Sequence, residues 1–403
     1  MKKFISVVEA RSIILGVMMP LPSERVTWAD ALGRTLAQPI RSRDNIPPFD
    51  NSAMDGYAVR TDDLHTLPAT LRVTEDIPAG VFPEKAVAPG ACARIMTGAP
   101  FPEGADAVAP VEWTEAAEDG MVQFNQAPAP GQHVRTAGED IQEGDLVFEP
   151  GQIITPPAIG MLTTLGYPEV DVTRKPRVAV ISTGDELVDA SEALGPGQIR
   201  NSNGPALAAQ VFSAGAEALP PFHAYDNQQS IRTIVEQALD ADVLLFSGGV
   251  SVGDYDFVKQ VLDEMGMELL FWKVRQRPGK PLAFGLLQGR YIFGLPGNPV
   301  SSAICFEQYV RPALAKMLGR RPCLRPRHAA RLDAPTPKKP GLHYFARGRA
   351  FFDDAGSLRV RDTGPQASNL YSSMVKANCL FHMPEAMENP PVDTLVHVEW
   401  LDW

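Results

Sequence analysis

No apolar run in this 403-residue chain approaches the roughly 20 residues needed to cross a bilayer, so a membrane-spanning helix is not expected. A signal peptide is not expected either. The opening Met1-Lys-Lys-Phe-Ile-Ser has two lysines but meets Glu9 and Arg11 where an apolar stretch would have to continue. Cysteine is scarce. Cys92, Cys305, Cys323 and Cys379 show no C-x-x-C spacing, which speaks against a zinc site or a disulfide framework and makes a reducing cytoplasm the expected setting. Basic charge is also short: 37 Lys and Arg against 48 Asp and Glu give a formal charge of −11, which argues against general nucleic-acid binding. A small anion is not excluded, because a few cations can be gathered locally. Neither a fixed-period repeat nor a low-complexity tail is present.

What is present is an ordinary apolar content of 44%, enough for a sizeable core, and a length that suggests several domains. Ser6-Val-Val-Glu9 reads as a capping box, followed by Ala10, Ile13, Ile14, Val17 and Met18 at helical spacing. A second helix is expected over 28–36 with Thr27 as its N-cap, and another over 153–165. From 46 to 148 short β-like runs are separated by Pro and Gly, and from 325 onward short alternating segments suggest a small barrel or sandwich. Between them, 177–318 alternates strand and helix, the rhythm of a parallel, doubly wound α/β sheet. The expected domains are therefore 1–45 with 146–175 (helical, linking), 46–145 (β-rich, inserted), 176–322 (α/β) and 323–403 (C-terminal β-barrel). The 37 prolines, many of them outside the α/β region, fit turns and edge strands.

Within the α/β region one event recurs three times: an apolar, β-branched run ends in a glycine-rich loop. The runs are Val178-Ala-Val-Ile-Ser-Thr-Gly-Asp-Glu186, Val243-Leu-Leu-Phe-Ser-Gly-Gly-Val-Ser-Val-Gly-Asp-Tyr-Asp256 and Tyr291-Ile-Phe-Gly-Leu-Pro-Gly-Asn-Pro299. Loops leaving the carboxyl ends of parallel strands form the ligand crevice of such sheets. Glycines let backbone N–H groups approach an anion, and the acidic side chains in the same loops suggest a bridging metal. Each loop also has a plainer reading. Thr183 or Asp185 would cap a helix with Glu186 favouring its dipole, Ser247–Gly253 would be a tight turn, and Pro299 would simply start a helix. Lys273-Val-Arg-Gln-Arg-Pro-Gly-Lys280 alternates cations along an extended segment, projecting Lys273, Arg275 and Arg277 to one side as an anion clamp or a solvated basic edge.

Seven motifs in fixed order then carry a resemblance over nearly the whole chain. They are Asn51-Ser-Ala-Met-Asp-Gly-Tyr-Ala-Val-Arg60, Arg94-Ile-Met-Thr-Gly-Ala-Pro100, Gly138-Glu-Asp-Ile141, Ser182-Thr-Gly-Asp-Glu-Leu187, Ser247-Gly-Gly-Val-Ser-Val-Gly253, Arg277-Pro-Gly-Lys-Pro281 and Gly294-Leu-Pro-Gly-Asn-Pro299. Together they resemble the molybdopterin molybdenumtransferase (MoeA) family and the matching domain of gephyrin. The resemblance implies a cytoplasmic homodimer of four-domain subunits and a Mg²⁺-dependent reaction. Molybdate enters the dithiolene of adenylylated molybdopterin, the phosphoanhydride is hydrolysed and AMP leaves. It also implies molybdopterin adenylyltransferase and molybdoenzyme maturation factors as partners.

By that resemblance Glu186 and Asp256 serve the nucleotide and the metal, with Asp226 close by and Ser182, Thr183, Gly184, Pro296 and Pro299 in the same cofactor-binding loops. Gly248, Gly249 and Ser251 hold phosphate, and Lys273, Arg277, Lys280, Arg347 and Ser368 serve molybdate and the pterin phosphate. Asp55, Thr97, Arg135 and Asp140 come from a partner subunit, although in isolation Asp55 and Asp140 read as turn caps. Four positions depart from the family pattern: Arg277 for lysine, Ala367 and Asn369 for glycine and histidine, and Asn201 for aspartate. Other readings are the related adenylyltransferase, which needs only the α/β domain, tungstate in place of molybdate, and a non-catalytic carrier or scaffold. A scaffold has no use for Glu186, Asp256, Asp55 and Asp140 together.

Overall fold

The computed structural model describes residues 2–249 and 257–402, which form two compact units. The first comprises 1–37, 150–156 and 169–403; the second comprises 38–149 and 157–168.

At the centre of the first unit is an eight-stranded sheet. Its order is Lys2–Ile5, Glu268–Val274, Ala283–Leu287, Arg290–Leu295, Val243–Ser247, Arg177–Thr183 and Glu217–Ala218, with Phe222–Ala224 also pairing with Arg177–Thr183. The strands that carry the three glycine loops are adjacent and parallel. The sheet is doubly wound as expected but not parallel throughout, because Ala283–Leu287 runs antiparallel to both of its neighbours. It is joined to Arg290–Leu295 by the tight Gln288-Gly289 turn, both residues having positive φ, and so needs no crossover helix.

Alternate side chains of the central strands enter opposite cores, as the pleat requires. Val178, Val180, Val243 and Leu245 pack with Leu207, Val211, Ile14 and the 299–318 helical segment on one face. Ala179, Ile181, Leu244 and Phe246 pack with Ile231, Val235, Val258 and Val261 on the other. The sheet is thus wound on both faces. Complete burial of Leu245 and Phe246 contributes roughly 1.5–3 kcal/mol each.

Ser6 caps the Val7–Val17 helix by accepting from Glu9 N at 3.1 Å, as its sequence motif requires. The helix expected over 28–36 is only Trp28–Ala31. Gly33 takes a positive φ, and Thr35 and Leu36 bridge to Ile153 and Val172. Tertiary pairing there overrides helical propensity. The 153–165 helix is confined to Pro156–Thr164, and the helical segment that starts at Pro299 contains a π-helical turn over Phe306–Val310 between Pro299–Cys305 and Arg311–Met317. Five strands from His328–Leu332 to Leu395–Trp400 close on themselves as a barrel around Phe381, Val360 and Val398.

The second unit is built on a six-stranded sheet in the order Ala107–Pro110, Gly56–Val59, Ala91–Ile95, Ala69–Ile77, Met121–Phe124 and Thr114–Ala116. Its two faces bury small cores around Phe124 and Ile95.

Candidate functional site

A cleft of about 700 Å³ opens where the three parallel strands end. Ser182, Thr183, Gly184 and Glu186 come to it from the first loop, Gly248 and Gly249 from the second, and Pro296 and Pro299 from the third. Asp226 joins them from the segment after Phe222–Ala224. Ser251 and Asp256, assigned to phosphate and metal from the sequence, lie outside the described residues.

Gly248 and Gly249 have φ of +100° and +62°, conformations that side chains disfavour. The Thr183 hydroxyl faces them: a Cβ on Gly248 would stand 2.9 Å from Thr183 Oγ1 and one on Gly249 3.0 Å from it. That hydroxyl is buried and has no hydrogen-bond partner among the described residues. A buried polar atom left without a partner costs about 1–3 kcal/mol, so a ligand or water reaching the Gly-Gly turn would stabilise it.

Asparagines fix the loops to one another. Ser182 Oγ donates to Asn201 Oδ1 at 3.1 Å, and the same oxygen accepts from Gly204 N at 3.0 Å. Asn203 Nδ2 donates to Ser247 Oγ at 2.8 Å and Gly297 O at 2.7 Å, joining the second loop to the third. Asn203 was not anticipated from sequence. An amide next to a helix start reads locally as a cap, and only the fold shows that it bridges two distant loops.

Glu186 and Asp226 form the acidic side of the cleft, with Asp185 next to Asp226. Asp226 N donates to Asp185 Oδ1 at 3.0 Å. Burial pushes the Asp226 carboxyl above its ordinary range, and the negative charges of Asp185 and Glu186 push it further. A hard cation would relieve this repulsion, and carboxylates are the donors Mg²⁺ prefers. Among the described residues no group of three or more His, Cys, Asp or Glu is arranged as metal ligands. Glu186 is present at the cleft as expected; its expected metal partner, Asp256, is outside the described residues.

The cationic segment differs from the sequence expectation. Lys273 has φ of +68°, which breaks the two-residue alternation, so Lys273, Arg275 and Arg277 do not form one uniform row. Lys273 Nζ sits 4.0 Å from the Trp272 ring centre. Arg275 pairs with Glu385 at 3.0 Å and donates to Phe4 O at 3.0 Å, while Arg277 donates to Tyr344 OH at 3.3 Å. Lys280 lies over Phe4 at 5.1 Å, and its neighbour Pro281 lines the cleft.

Arg347 is wholly buried in strand His343–Phe352. Its guanidinium donates to Ser373 Oγ at 3.0 Å, Ala367 O at 3.0 Å, Gln366 O at 3.3 Å and Pro365 O at 3.4 Å. Burial, then the nearby Arg277 charge, lower its pKa to about 10, still leaving it charged near neutrality. Arg347 therefore holds the loop that carries Ser368 and Asn369; Asn369 reaches the cleft.

In the second unit Asp55 Oδ1 accepts from Thr97 N at 2.7 Å and from Thr97 Oγ1 at 2.6 Å. These two bonds hold the exposed carboxyl below its ordinary range. The pair meets because Gly56 and Ile95 are opposite each other in adjacent strands. A Cβ at Gly56 would stand 2.9 Å from Ala109 C, so the tight approach needs glycine. Arg135 is opposite Asn51 in a short ladder, and Asp140 N donates to Ile46 O at 3.0 Å; both side chains are exposed.

Family models match the chain in the same order: the MoeA N-terminal region (domain I and II) over 5–166, a probable molybdopterin binding domain over 179–316, and the MoeA C-terminal region (domain IV) over 329–401. A molybdopterin molybdenumtransferase of Haemophilus influenzae is 38% identical over 394 residues, covering 97% of each chain. One from Staphylococcus aureus (strain COL) is 35% identical over 94% of this chain and 91% of its own. The crystal structure of a molybdopterin biosynthesis MoeA protein from Pyrococcus horikoshii superposes with a TM-score of 0.85 at 30% identity, covering 99% of this chain and 100% of that one. The chain belongs to the molybdopterin molybdenumtransferase family, transferases of molybdenum cofactor biosynthesis.

Proposed function

We propose that this protein inserts molybdate into adenylylated molybdopterin with Mg²⁺-dependent hydrolysis of the phosphoanhydride and release of AMP. The observation that carries the reading is the convergence of three glycine loops, an unpartnered buried hydroxyl and clustered carboxylates on one cleft. Gly248, Gly249 and Thr183 offer a small, donor-rich turn to a phosphate, and Asn203 keeps it fixed relative to the third loop. Glu186, with Asp226 beside it, would hold Mg²⁺ together with Asp256, which the family resemblance assigns to the metal. When bound, that ion neutralises phosphate charge and polarises the bond to be cleaved. Ser368 would donate to molybdate at the lip of the cleft, Lys273, Arg277 and Lys280 would supply positive charge, and Arg347 would set the Ser368 loop.

We also propose a cytoplasmic homodimer in which Asp55, Thr97, Arg135 and Asp140 of a second subunit complete the site, as the family resemblance suggests. Partners would be the adenylyltransferase that supplies the nucleotide and maturation factors that accept the product. The test is incubation of purified protein with adenylylated molybdopterin, Mg²⁺ and molybdate, with AMP measured by chromatography and tungstate as a parallel arm. AMP release that requires both Mg²⁺ and an oxyanion supports the proposal. Its absence with intact nucleotide recovered rejects it.

A further inference from the structure

At the lip of the cleft a residue that ought to cap a helix does something else. Asn298 has the extended backbone of an N-cap before Pro299, yet its side chain makes no capping bond. Asparagine in that position ordinarily accepts from the second or third helical N–H and contributes about 1 kcal/mol. Here Asn298 Nδ2 donates to Ser368 Oγ at 3.1 Å, across to the loop that Arg347 holds. The helix still has a partner for an early N–H, because Val300 N donates to the Ser368 carbonyl at 3.2 Å. Ser368 is therefore fixed twice, by its carbonyl and by its hydroxyl oxygen.

We infer that Asn298 is a positioning residue that orients the Ser368 hydroxyl as a donor to an oxyanion in the cleft. A serine hydroxyl has one hydrogen and two lone pairs. By accepting from the Asn298 amide, Ser368 Oγ uses a lone pair and keeps its hydrogen, which has no acceptor among the described residues. Donation to the oxygen also polarises the O–H bond and strengthens what it can donate. Molybdate and phosphate oxygens are acceptors only, so the polarity matches. Asn298 itself lines the cleft, as does Asn369, the residue after Ser368. An aspartate at 298 would reverse the arrangement, taking the serine hydrogen for itself and adding a negative charge beside the anion. The inference rests on the proposed assignment of molybdate to the Ser368 side of the cleft.

The test uses the full chain carrying Asn298→Ala, Asn298→Asp, Ser368→Ala and Asn298→Ala combined with Ser368→Ala. Two quantities are read: the KM values for molybdate and for adenylylated molybdopterin from AMP release, and the Kd of molybdate alone by titration calorimetry. Loss of one bond to a charged group corresponds to about 10- to 100-fold in affinity. Asn298→Asp should raise the molybdate KM and Kd by that factor, with the nucleotide KM and the melting temperature unchanged. Asn298→Ala should have no further effect once Ser368 is alanine. Effects that multiply in the double variant, or that raise both KM values equally, would overturn the inference. Should the wild-type protein release no AMP, the proposed function fails, and the molybdate Kd series alone decides the role of Asn298. Wild-type protein that does not bind molybdate overturns both.

Discussion

At position 55 an exposed carboxylate accepts two hydrogen bonds from a single residue. Asp55 before Gly56 reads as a turn cap. What the sequence does not show is that Thr97, 42 residues away, supplies both hydrogen bonds. Because those bonds favour the charged form, Asp55 titrates below its ordinary value, and Thr97→Val should raise its pKa in an NMR pH titration. An unchanged Asp55 pKa would mean that the Thr97 hydroxyl contributes nothing. The opposite shift applies at Asp226, whose carboxyl is raised by burial and by Asp185 and Glu186. Asp185→Asn should lower it, and Mg²⁺ should lower it in the native protein. A titration indifferent to both would remove the electrostatic argument for a cation there. Arg347 illustrates the converse. The family resemblance alone assigns it to an anion, and its burial against three carbonyls shows that it also organises a loop.

Among the elements, the three strand-and-loop units were legible because two signals coincide at one place: continuous apolar β-branched residues, then glycine. Strands Arg177–Thr183, Val243–Ser247 and Arg290–Leu295 stand side by side, so their loops share one cleft. The helix expected over 28–36 stops at Ala31 because bridges from Thr35 and Leu36 to Ile153 and Val172 are non-local and leave no periodic mark. The π turn over Phe306–Val310 is equally invisible in the hydrophobic pattern. It includes Tyr309, whose hydroxyl donates to buried Gln276 Oε1; Gln276 Nε2 in turn donates to Gly279 O at 3.0 Å, inside the Arg277–Lys280 loop. Tyr309→Phe leaves that amide oxygen buried without a donor and should destabilise the fold by about 1–3 kcal/mol, measured by denaturant titration. A variant as stable as the wild type would show that the tie is dispensable.

For the whole molecule, buried charge links segments far apart in sequence. Glu399 of the barrel accepts from Gln308 Nε2 at 2.8 Å and Arg327 Nε at 3.0 Å, with His382 Nε2 at 3.0 Å and Arg11 at 4.0 Å. Burial alone would raise its carboxyl, but the His382 bond, the Arg11 charge and the Gln308 amide outweigh it and hold it well below the ordinary 4.5. A depressed carboxyl contributes stability that is complete above its unfolded pKa and is lost as pH falls toward its folded one. The melting temperature should therefore fall as pH drops below about 4.5, and Glu399→Gln should flatten that decline while costing stability at neutral pH. An identical acid profile in the variant would place the acid-sensitive carboxyl elsewhere. The central claim concerns the cleft, and the most direct test is molybdate-dependent AMP release by Glu186→Gln beside the wild type, at equal protein and saturating Mg²⁺. Glu186 is exposed at the cleft, so its fold should be retained. The account predicts a fall of about 10²–10³-fold in the rate with an unchanged melting temperature. Release at the wild-type rate would contradict it.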